Sequence, residues 1–359
     1  MRLLILSIAM LVVGASGCRD AQRPAGYPPS YETLIASARE EGMVRVYGAT
    51  DRAAVQPAIS GFEAAYPGIS VDYEDLQSRA VYDRVVRESD TGQPGADLVL
   101  SSGMALQTKL INDGYAQAYR SPEKPALPTT AVWKDMGYGL TSEPIVFVVN
   151  RQLVPAEQVP QTHDAFEQLL VDRRQDFMGK VTTYDPAKAD AGYLYLTEDY
   201  ATTRDTESLI EAIADTRPML SSTSAEMLDA VAEGRAAIAY NVLGSYALAR
   251  AKRDERIQVV FPSDYTITAS RVAFIARDAR HPAAAQLFLD FLLSRSGQML
   301  LAQQGLSPVR SDIGNRMPSR EQQRPIRIGP QLLVHLDSIK RQRFLAEWRA
   351  LLAEGSNPS

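Results

Sequence analysis

The chain has 359 residues, of which 45% are hydrophobic, and its formal net charge at pH 7 is −5. A chain of this length and apolar content can bury a large core and is expected to form two domains rather than one. Acidic residues outnumber lysine and arginine by 43 to 38 without any long run of one sign, so nucleic acid is not an expected partner.

The N-terminus has the pattern of an export signal followed by a lipidation site. After a basic residue, an apolar run at residues 3–13 is too short to span a membrane comfortably, and small residues lead up to Cys18. Residues 1–17 are therefore predicted to be a signal peptide, and residues 18–30 a lipidated cysteine with a proline-rich tether. Because Ala15 replaces the leucine usual in lipoprotein signals, ordinary secretory cleavage and an uncleaved anchor are alternatives. Cys18 is the only cysteine, which excludes a disulfide and a thiolate metal site.

From residue 31 onward the chain alternates between helix and strand patterns. A helix pattern at residues 31–41 precedes three short apolar strands, each followed by a helix, up to residue 116. This order predicts an α/β domain with a mainly parallel sheet covered by helices, and ligands bind such sheets at the carboxyl ends of the strands. Two polar turns should then share one edge of the sheet, and they contain Thr50, Asp51, Ser101 and Ser102.

These turns are candidates for an anion site. The first backbone N–H groups of a helix have no partner within the helix, and the hydroxyl groups of Ser101 and Ser102 would add donors beside them. Most such turns are plain helix caps, which is the structural alternative for Thr50 and Ser101.

A second domain follows a proline-rich loop. The segment at residues 141–144 leads into a strand pattern at residues 145–150 and looks like a crossing between domains. Further strands and helices follow, an apolar strand at residues 270–276 is the candidate for the return, and a long helix is predicted at residues 331–353. The predicted bounds are residues 31–143 with 270–359, including the C-terminal helices, for the first lobe and residues 144–269 for the second.

Polar residues also follow the strand patterns of the second lobe. Asp185 begins a turn, Thr223 with Glu226 three places later fits a capping box, and residues 241–245 are predicted as the turn after a strand at residues 236–240. Each also fits a structural role as a cap, a turn former or a core residue. The candidates of the second lobe are Asp185, Thr223, Asn241, Ser245 and Tyr246.

Several segments resemble one protein family. They are ATD after the first strand, FEAAYPGISVDYED, ADLVLSSGMALQTKLINDGYA, AIAYNVLGSYALARA, PSDYTITASRVAFI and HPAAAQLFLDFLLSRSGQ. With the export signal they resemble the periplasmic solute-binding proteins of ABC importers, in the group that includes receptors for ferric iron, hexose phosphates and phosphoglycerate. The resemblance covers about residues 43–310.

The resemblance implies a fold and partners. The fold is the two-lobed type 2 periplasmic-binding-protein fold, in which two crossing strands form a hinge and the lobes close on a ligand. The partners are a permease and an ATPase on other chains or, in some relatives, a sensor kinase that reads the liganded form. We expect a monomer in the periplasm that contacts the membrane only through its lipid anchor.

The ligand is either an anion or ferric iron. Fe³⁺ prefers anionic oxygen, and iron-binding relatives use adjacent tyrosines, but no two of the sixteen tyrosines are adjacent here. The histidines, His163, His281 and His335, fall away from the predicted strand ends. We therefore predict no metal site, and the ferric-iron receptor stays as the alternative.

Phosphate suits the predicted turns better, because hydroxyl groups and helix N-termini favour anions while carboxylates can accept sugar hydroxyls. Arg271 could meet the charge of the ligand or form an ion pair between the lobes, and we favour the ion pair. Ala49 stands where hexose-phosphate receptors have serine, so one hydroxyl donor is missing. The resemblance to those receptors carries over to Thr50, Asp51, Ser102, Asp185, Thr223, Asn241, Ser245 and Tyr246.

An enzyme is not expected. The G-x-S-x-G, H-E-x-x-H, P-loop and C-x-x-C spacings are absent from the sequence. We predict no catalytic residue and no cofactor, and expect a binding protein for a small anionic organophosphate.

Overall fold

The computed structural model describes residues 23–203, 205–314, 318–319 and 321–355. The predicted signal peptide and Cys18 lie outside these residues. Among the described helices, none has both the length and the apolar character needed to cross a membrane.

Thirteen α-helices and thirteen β-strands occur in the described residues. The helices are α1 Tyr31–Glu41, α2 Arg52–Ala65, α3 Ser78–Asp90, α4 Met104–Asn112, α5 His163–Asp172, α6 Arg174–Phe177, α7 Asp190–Thr202, α8 Thr206–Asp215, α9 Ser224–Ala232, α10 Gly244–Ala251, α11 Pro282–Leu293, α12 Arg295–Gln303 and α13 Ser338–Glu354. The strands are β1 Met43–Gly48, β2 Ser70–Asp75, β3 Leu98–Ser101, β4 Val132–Trp133, β5 Gly137–Gly139, β6 Glu143–Asn150, β7 Val181–Tyr184, β8 Met219–Ser221, β9 Ile238–Leu243, β10 Ile257–Val260, β11 Thr266–Ala269, β12 Val272–Ile275 and β13 Gln323–Pro325.

The first sheet has the strand order β2-β1-β3-β12-β5-β4. β1 pairs in parallel with β2 and β3, as the sequence predicts, while β12 adds an antiparallel strand beside β3. All four residues of β3 are buried, because helices cover both faces of the sheet. Leu98 and Leu100 pack in the core that contains α1, α2 and α11, and Val99 packs in the core on the other face. We call this sheet with α1–α4, α11 and α12 the first lobe.

The second sheet has the order β13-β11-β6-β9-β7-β8, with β10 also paired to β6. β7 lies parallel to both β8 and β9, whereas β6 is antiparallel to β9. We call this sheet with α5–α10 and α13 the second lobe. One cluster of buried apolar residues continues from Val99 in the first lobe to Val242 in the second, so the lobes are in contact.

Two chain segments that run side by side join the sheets. One leads from β5 to β6 through residues 140–142, and the other leads from β11 to β12 through Ser270 and Arg271. The Leu140 N–H donates to the Arg271 carbonyl at 2.8 Å, and the Arg271 N–H donates to the Thr141 hydroxyl at 2.9 Å. We call these paired segments the hinge.

The C-terminal segment differs from its prediction. A 3₁₀ helix occupies Pro330–Leu336, and α13 starts anew because the Asp337 carboxylate accepts the N–H groups of Ile339 and Lys340 at 2.9 and 3.0 Å. Trp348 of α13 is buried in the core of the second lobe. Phe344 and Leu351 of α13 pack against the same core, whereas the predicted bounds place this helix in the first lobe. The apolar residues of a helix mark its buried face, but a local pattern does not show which lobe that face contacts.

The described end of the predicted tether, residues 23–30, is attached to the first lobe. The Tyr27 ring meets the Tyr31 ring edge-on at a centroid distance of 4.6 Å, and its hydroxyl donates to Glu123.

Candidate ligand-binding site

The ends of β1 and β3 form one wall of the candidate site. Gly48 lies opposite Leu100 in the parallel register, so the turn containing Thr50 and Asp51 is adjacent to the turn containing Ser102. The Tyr73 hydroxyl donates to the Thr50 carbonyl at 2.6 Å and accepts the Thr50 N–H at 3.3 Å. Only glycine fits at position 48, because a Cβ there would overlap the Tyr73 ring.

A buried ion pair in the hinge adjoins this wall. Nε of Arg271 lies 2.8 Å from a carboxylate oxygen of Glu143, the first residue of β6, and Nη1 of Arg271 donates to the Thr50 hydroxyl at 2.9 Å. The Thr141 hydroxyl donates to the same carboxylate at 3.0 Å. Arg271 and Glu143 are 3% and 2% exposed, so their charges depend on each other. The expected ion pair of Arg271 is present.

Three tyrosines of the second lobe surround the ion pair. Burial opposes the charge on Arg271, but the Glu143 carboxylate and the Tyr246 hydroxyl raise the pKa of the guanidinium above its ordinary value. Burial, with Tyr184 and Glu143 nearby, raises the pKa of Tyr195 well above its ordinary value. Burial also raises the pKa of Tyr184 to about 12, and its hydroxyl lies 2.6 Å from that of Ser224. The phenols of Tyr184 and Tyr195 therefore stay protonated at neutral pH.

The N-terminus of α10 forms the opposite wall. Ser245, in its first turn, is 6% exposed, and its hydroxyl has no hydrogen-bond partner among the described residues. Gly244 packs directly on the hinge, since a Cβ there would lie 2.7 Å from the Pro144 carbonyl oxygen. A Cβ on Gly305 of the first lobe would lie 3.7 Å from the Ser245 carbonyl, so the first lobe reaches the start of α10.

Three helices that begin at this cleft, α2, α4 and α10, have no side-chain cap. Side chains cap α5, α9, α12 and α13, whereas the other nine described helices, α2, α4 and α10 among them, have no side-chain cap. In α2 the Arg52 N–H is accepted by Asp75 of the neighbouring strand. The uncapped helices keep backbone donors and the positive ends of their dipoles available for an anion.

Three predicted site residues make hydrogen bonds within their own lobes. The Ser101 hydroxyl donates to Ser78 at 2.9 Å and accepts the Gly103 N–H at 3.0 Å, while the Thr223 hydroxyl caps α9 by accepting the Glu226 N–H at 3.1 Å. The Asn241 amide donates to buried Asp199 at 2.7 Å, inside the second lobe. Each of the side chains of Ser101, Thr223 and Asn241 is thus already paired within its own lobe.

The turn predicted at residues 241–245 is also wrong. Residues 241–243 continue β9, and α10 begins at Gly244, since the pairing of Val242 and Leu243 with β6 extends the strand.

Asp185 acts as a turn former. It is 8% exposed, its carboxylate accepts the Ala187 N–H at 3.0 Å, and Lys188 lies 3.4 Å away.

Asp51, Ser102 and Tyr246 keep side chains available to a ligand. Asp51 and Ser102 are exposed, neither with a side-chain hydrogen bond among the described residues, and Tyr246 is 39% exposed. Sequence reasoning missed Tyr184, Tyr195 and Glu143. Glu143 had the one usable signal, a carboxylate at the predicted crossing, whereas the tyrosines reach the cleft only through packing.

The histidines lie away from the cleft. His163, His281 and His335 contact Asp264, Asp97 and Glu198 at 3.0, 2.8 and 3.2 Å. Within the described part of the chain, no group of three histidine, cysteine, aspartate or glutamate side chains is placed to hold a metal ion.

A cavity of about 710 Å³ lies on the other face of the hinge. Ser270, Thr141 and Arg310 are among its lining residues, and none of the predicted site residues lines it. Ser270 borders this cavity, whereas Arg271 is paired with Glu143 and Thr50.

Comparisons with known proteins identify the family. The chain matches the model of bacterial extracellular solute-binding proteins over residues 44–307. No curated protein matches it significantly. Among solved structures, the substrate-binding protein of an ABC transporter from Agrobacterium tumefaciens is 34% identical with a TM-score of 0.77, and the match covers 86% of this chain and 94% of that one.

Two more distant structures share the fold. Iron-bound HitA from Pseudomonas aeruginosa is 14% identical with a TM-score of 0.66, and the match covers 88% of this chain and 99% of that one. AfuA from Actinobacillus pleuropneumoniae, solved with exogenous fructose-6-phosphate bound, is 17% identical with a TM-score of 0.63, and the match covers 87% and 99%.

The family match and the 34% identical relative agree with the mixed α/β, two-lobed architecture. Members of this family are transport receptors rather than enzymes, and they work outside the cytoplasm with a permease and an ATPase. This chain therefore belongs to the bacterial extracellular solute-binding proteins and is the solute-binding component of an ABC transporter.

Proposed function

We propose that the cleft between the lobes binds a small organophosphate that carries hydroxyl groups, such as a sugar phosphate or a phosphoglycerate. The observation that carries this proposal is the buried, unpartnered hydroxyl of Ser245 at the uncapped N-terminus of α10. A buried polar group without a partner costs about 1–3 kcal/mol. A phosphate oxygen at this position would accept from the hydroxyl and from the first N–H groups of α10.

The charges of the cleft favour a phosphate ester over inorganic phosphate. Arg271 is paired with Glu143, so helix dipoles and hydroxyl groups such as those of Ser102 and Ser245 would meet most of the ligand's charge. Glu143 and Asp51 would repel a bare phosphate but would accept hydrogen bonds from ligand hydroxyls. The same groups therefore select for an ester with hydroxyls on its carbon skeleton.

Closure of the lobes would complete the site. Thr50, Asp51 and Ser102 belong to the first lobe, whereas Ser245 and Tyr246 belong to the second, with Arg271 in the hinge between them. A ligand that contacts both lobes favours the closed arrangement, in keeping with hinge closure around ligands. We propose that the chain crosses between the lobes near residues 144 and 270, with β13 and α13 returning to the second lobe.

A ferric-iron receptor is the alternative function. The fold shared with HitA and the phenols of Tyr184, Tyr195 and Tyr246 favour it, because phenolate oxygen suits Fe³⁺. Against it, the guanidinium of Arg271 lies among these phenols and would repel a cation. A ligand-sensing subunit of a two-component kinase would use the same cleft and the same ligand.

A thermal-shift screen tests the ligand class. Purified protein is mixed with fructose 6-phosphate, glucose 6-phosphate, 3-phosphoglycerate, inorganic phosphate, phosphonates and Fe³⁺ citrate. A ligand of the folded state raises the melting temperature, and we expect this from the phosphate esters. A shift with Fe³⁺ citrate alone, together with a visible tyrosinate charge-transfer band, would replace our proposal by the iron receptor.

We also propose that Cys18 is lipidated and anchors a monomer to the membrane at the periplasmic side. Replacing Cys18 by serine should move the protein from the membrane fraction to the soluble periplasmic fraction. An unchanged distribution would contradict lipidation, and size-exclusion chromatography would check the monomer.

A further inference from the structure

The carboxyl end of β9 contains a β-bulge. In the pairing with β6, Ala239 lies opposite Val148 and Val242 lies opposite Val146, so Tyr240 and Asn241 together oppose one residue. Asn241 has a φ of 62°, in the left-handed region that asparagine tolerates better than most side chains. Bulges bend a strand and redirect the residues that follow it.

A buried carboxylate holds this bulge. Asp199 of α7 is 1% exposed and accepts the Asn241 amide at 2.7 Å, the Tyr240 hydroxyl at 2.8 Å and the Tyr265 hydroxyl at 3.1 Å. Tyr240 and Asn241 are the two residues of the bulge, so Asp199 fixes both of them.

The helix that carries Ser245 begins immediately after the bulge. Leu243 is the N-cap residue of α10, and its N–H donates to the Ser224 hydroxyl at 3.2 Å. The start of α10 is thus tied to α7 through Asn241 and to α9 through Ser224.

We infer that Asn241 and Asp199 are positioning residues, which hold the bulge in β9 so that the N-terminus of α10 and the Ser245 hydroxyl face the first lobe. The inference rests on the proposed function only in that α10 contacts the ligand. Asn241 itself does not touch the ligand.

Two other roles for Asn241 make different predictions. If its amide contacted the ligand, glycine and alanine at this position would weaken binding equally and leave the protein backbone unaffected. If it only filled space in the second lobe, substitution would loosen the whole lobe. A positioning role predicts an effect confined to α10. The effect should be larger for alanine than for glycine, because glycine accepts a positive φ and alanine does not.

The test compares Asn241→Gly with Asn241→Ala by hydrogen exchange of peptides that cover β9 and α10. We expect Asn241→Ala to accelerate exchange in the first turn of α10 by about tenfold, as a left-handed alanine is strained by 1–2 kcal/mol, and Asn241→Gly to accelerate it less. Dissociation constants for fructose 6-phosphate and 3-phosphoglycerate should rise in the same order. Asn241→Ala should leave exchange in α5 and α8 unchanged.

Tyr265→Phe is the matched control. It removes one donor from the Asp199 carboxylate without touching β9, so it should lower the melting temperature and leave exchange in α10 as in the parent protein. Equal effects of glycine and alanine, or unchanged exchange in α10 with alanine, would overturn the inference. If the parent protein bound neither phosphate ester, the proposed function would fail, while the exchange data would still decide the role of Asn241.

Discussion

Arg271 and Glu143 form an ion pair with an N–O distance of 2.8 Å, and each residue belongs to one of the two segments that cross between the lobes. The pair therefore connects the two crossing segments to each other at the point where one of them continues as β6. Arg271 also donates to the Thr50 hydroxyl, which connects the ion pair to the wall formed by the first lobe.

Breaking this pair should destabilise the protein strongly. Arg271→Met leaves the Glu143 carboxylate buried without its partner, and such losses cost about 3–5 kcal/mol. We expect this decrease in the free energy of unfolding, measured by urea denaturation without ligand. The double variant Arg271→Met with Glu143→Leu should recover most of it, because no buried charge is left unpaired. A double variant as unstable as Arg271→Met would show that the pair contributes more to stability than the mutual neutralisation of its two charges.

Ser102 and Ser101 should respond differently to alanine. The exposed Ser102 hydroxyl has no hydrogen bond among the described side chains, so Ser102→Ala should leave stability unchanged and weaken phosphate-ester binding by about 1.5–3 kcal/mol, the contribution of a charge-assisted hydrogen bond. The Ser101 hydroxyl links Ser78 and Gly103, so the main effect of Ser101→Ala should be a lower melting temperature. Calorimetric titration with fructose 6-phosphate compares the two. Unchanged affinity of Ser102→Ala would remove Ser102 from the site.

Ser245→Ala should change stability and binding in opposite directions. Its buried hydroxyl has no partner among the described residues, so its removal relieves an unsatisfied polar group and should stabilise the unliganded protein by up to about 1 kcal/mol. The same change should weaken phosphate-ester binding, because the donor to the ligand is lost. Melting temperatures with and without 3-phosphoglycerate measure both effects. A loss of stability without ligand would mean that the hydroxyl has a structural partner.

The order of strands and helices could be predicted from the sequence because each element carries its own local signal. The cap formed by Thr223 with Glu226 is such a signal, and it is confirmed. The role of Asn241 could not be predicted, since the direction of its side chain depends on a bulge that arises only when β9 pairs with β6. Tyr195 lies within a helix and reaches the hinge through packing alone, so no local pattern marks it.

Asp290 of α11 should make stability depend on pH. Its carboxylate accepts the hydroxyls of Tyr31, Tyr119 and Ser121 at 2.9, 2.5 and 2.6 Å. Burial raises the pKa of Asp290 to about 7, although these hydroxyls act to lower it. An unfolded aspartate has a pKa of about 3.9, so the folded state binds more protons between these values. The free energy of unfolding should therefore fall as the pH rises from about 4 through 7.

Asp290→Asn should flatten this dependence, since the carboxamide does not titrate. Urea unfolding at several pH values between 4.5 and 8 measures the slope for the parent protein and the variant. Asp254→Asn is the control: Arg256 lowers the pKa of this exposed carboxyl, so its effect on stability falls below this pH range. An equal slope in the parent protein and Asp290→Asn would show that Asp290 is ionised throughout.

Trp348 provides a test of where α13 belongs. It is 3% exposed in the core of the second lobe, and its indole N–H has no partner among the described residues. Trp348→Ala removes a large buried side chain and should cost about 3–5 kcal/mol. Trp348→Phe should cost much less, because it retains an aromatic ring and removes an N–H that makes no hydrogen bond.

Hydrogen exchange then locates the effect: Trp348→Ala should accelerate exchange in α5 and α8 of the second lobe and leave α1 and α11 protected. Acceleration in α1 and α11 instead would restore the assignment of the C-terminal helix to the first lobe.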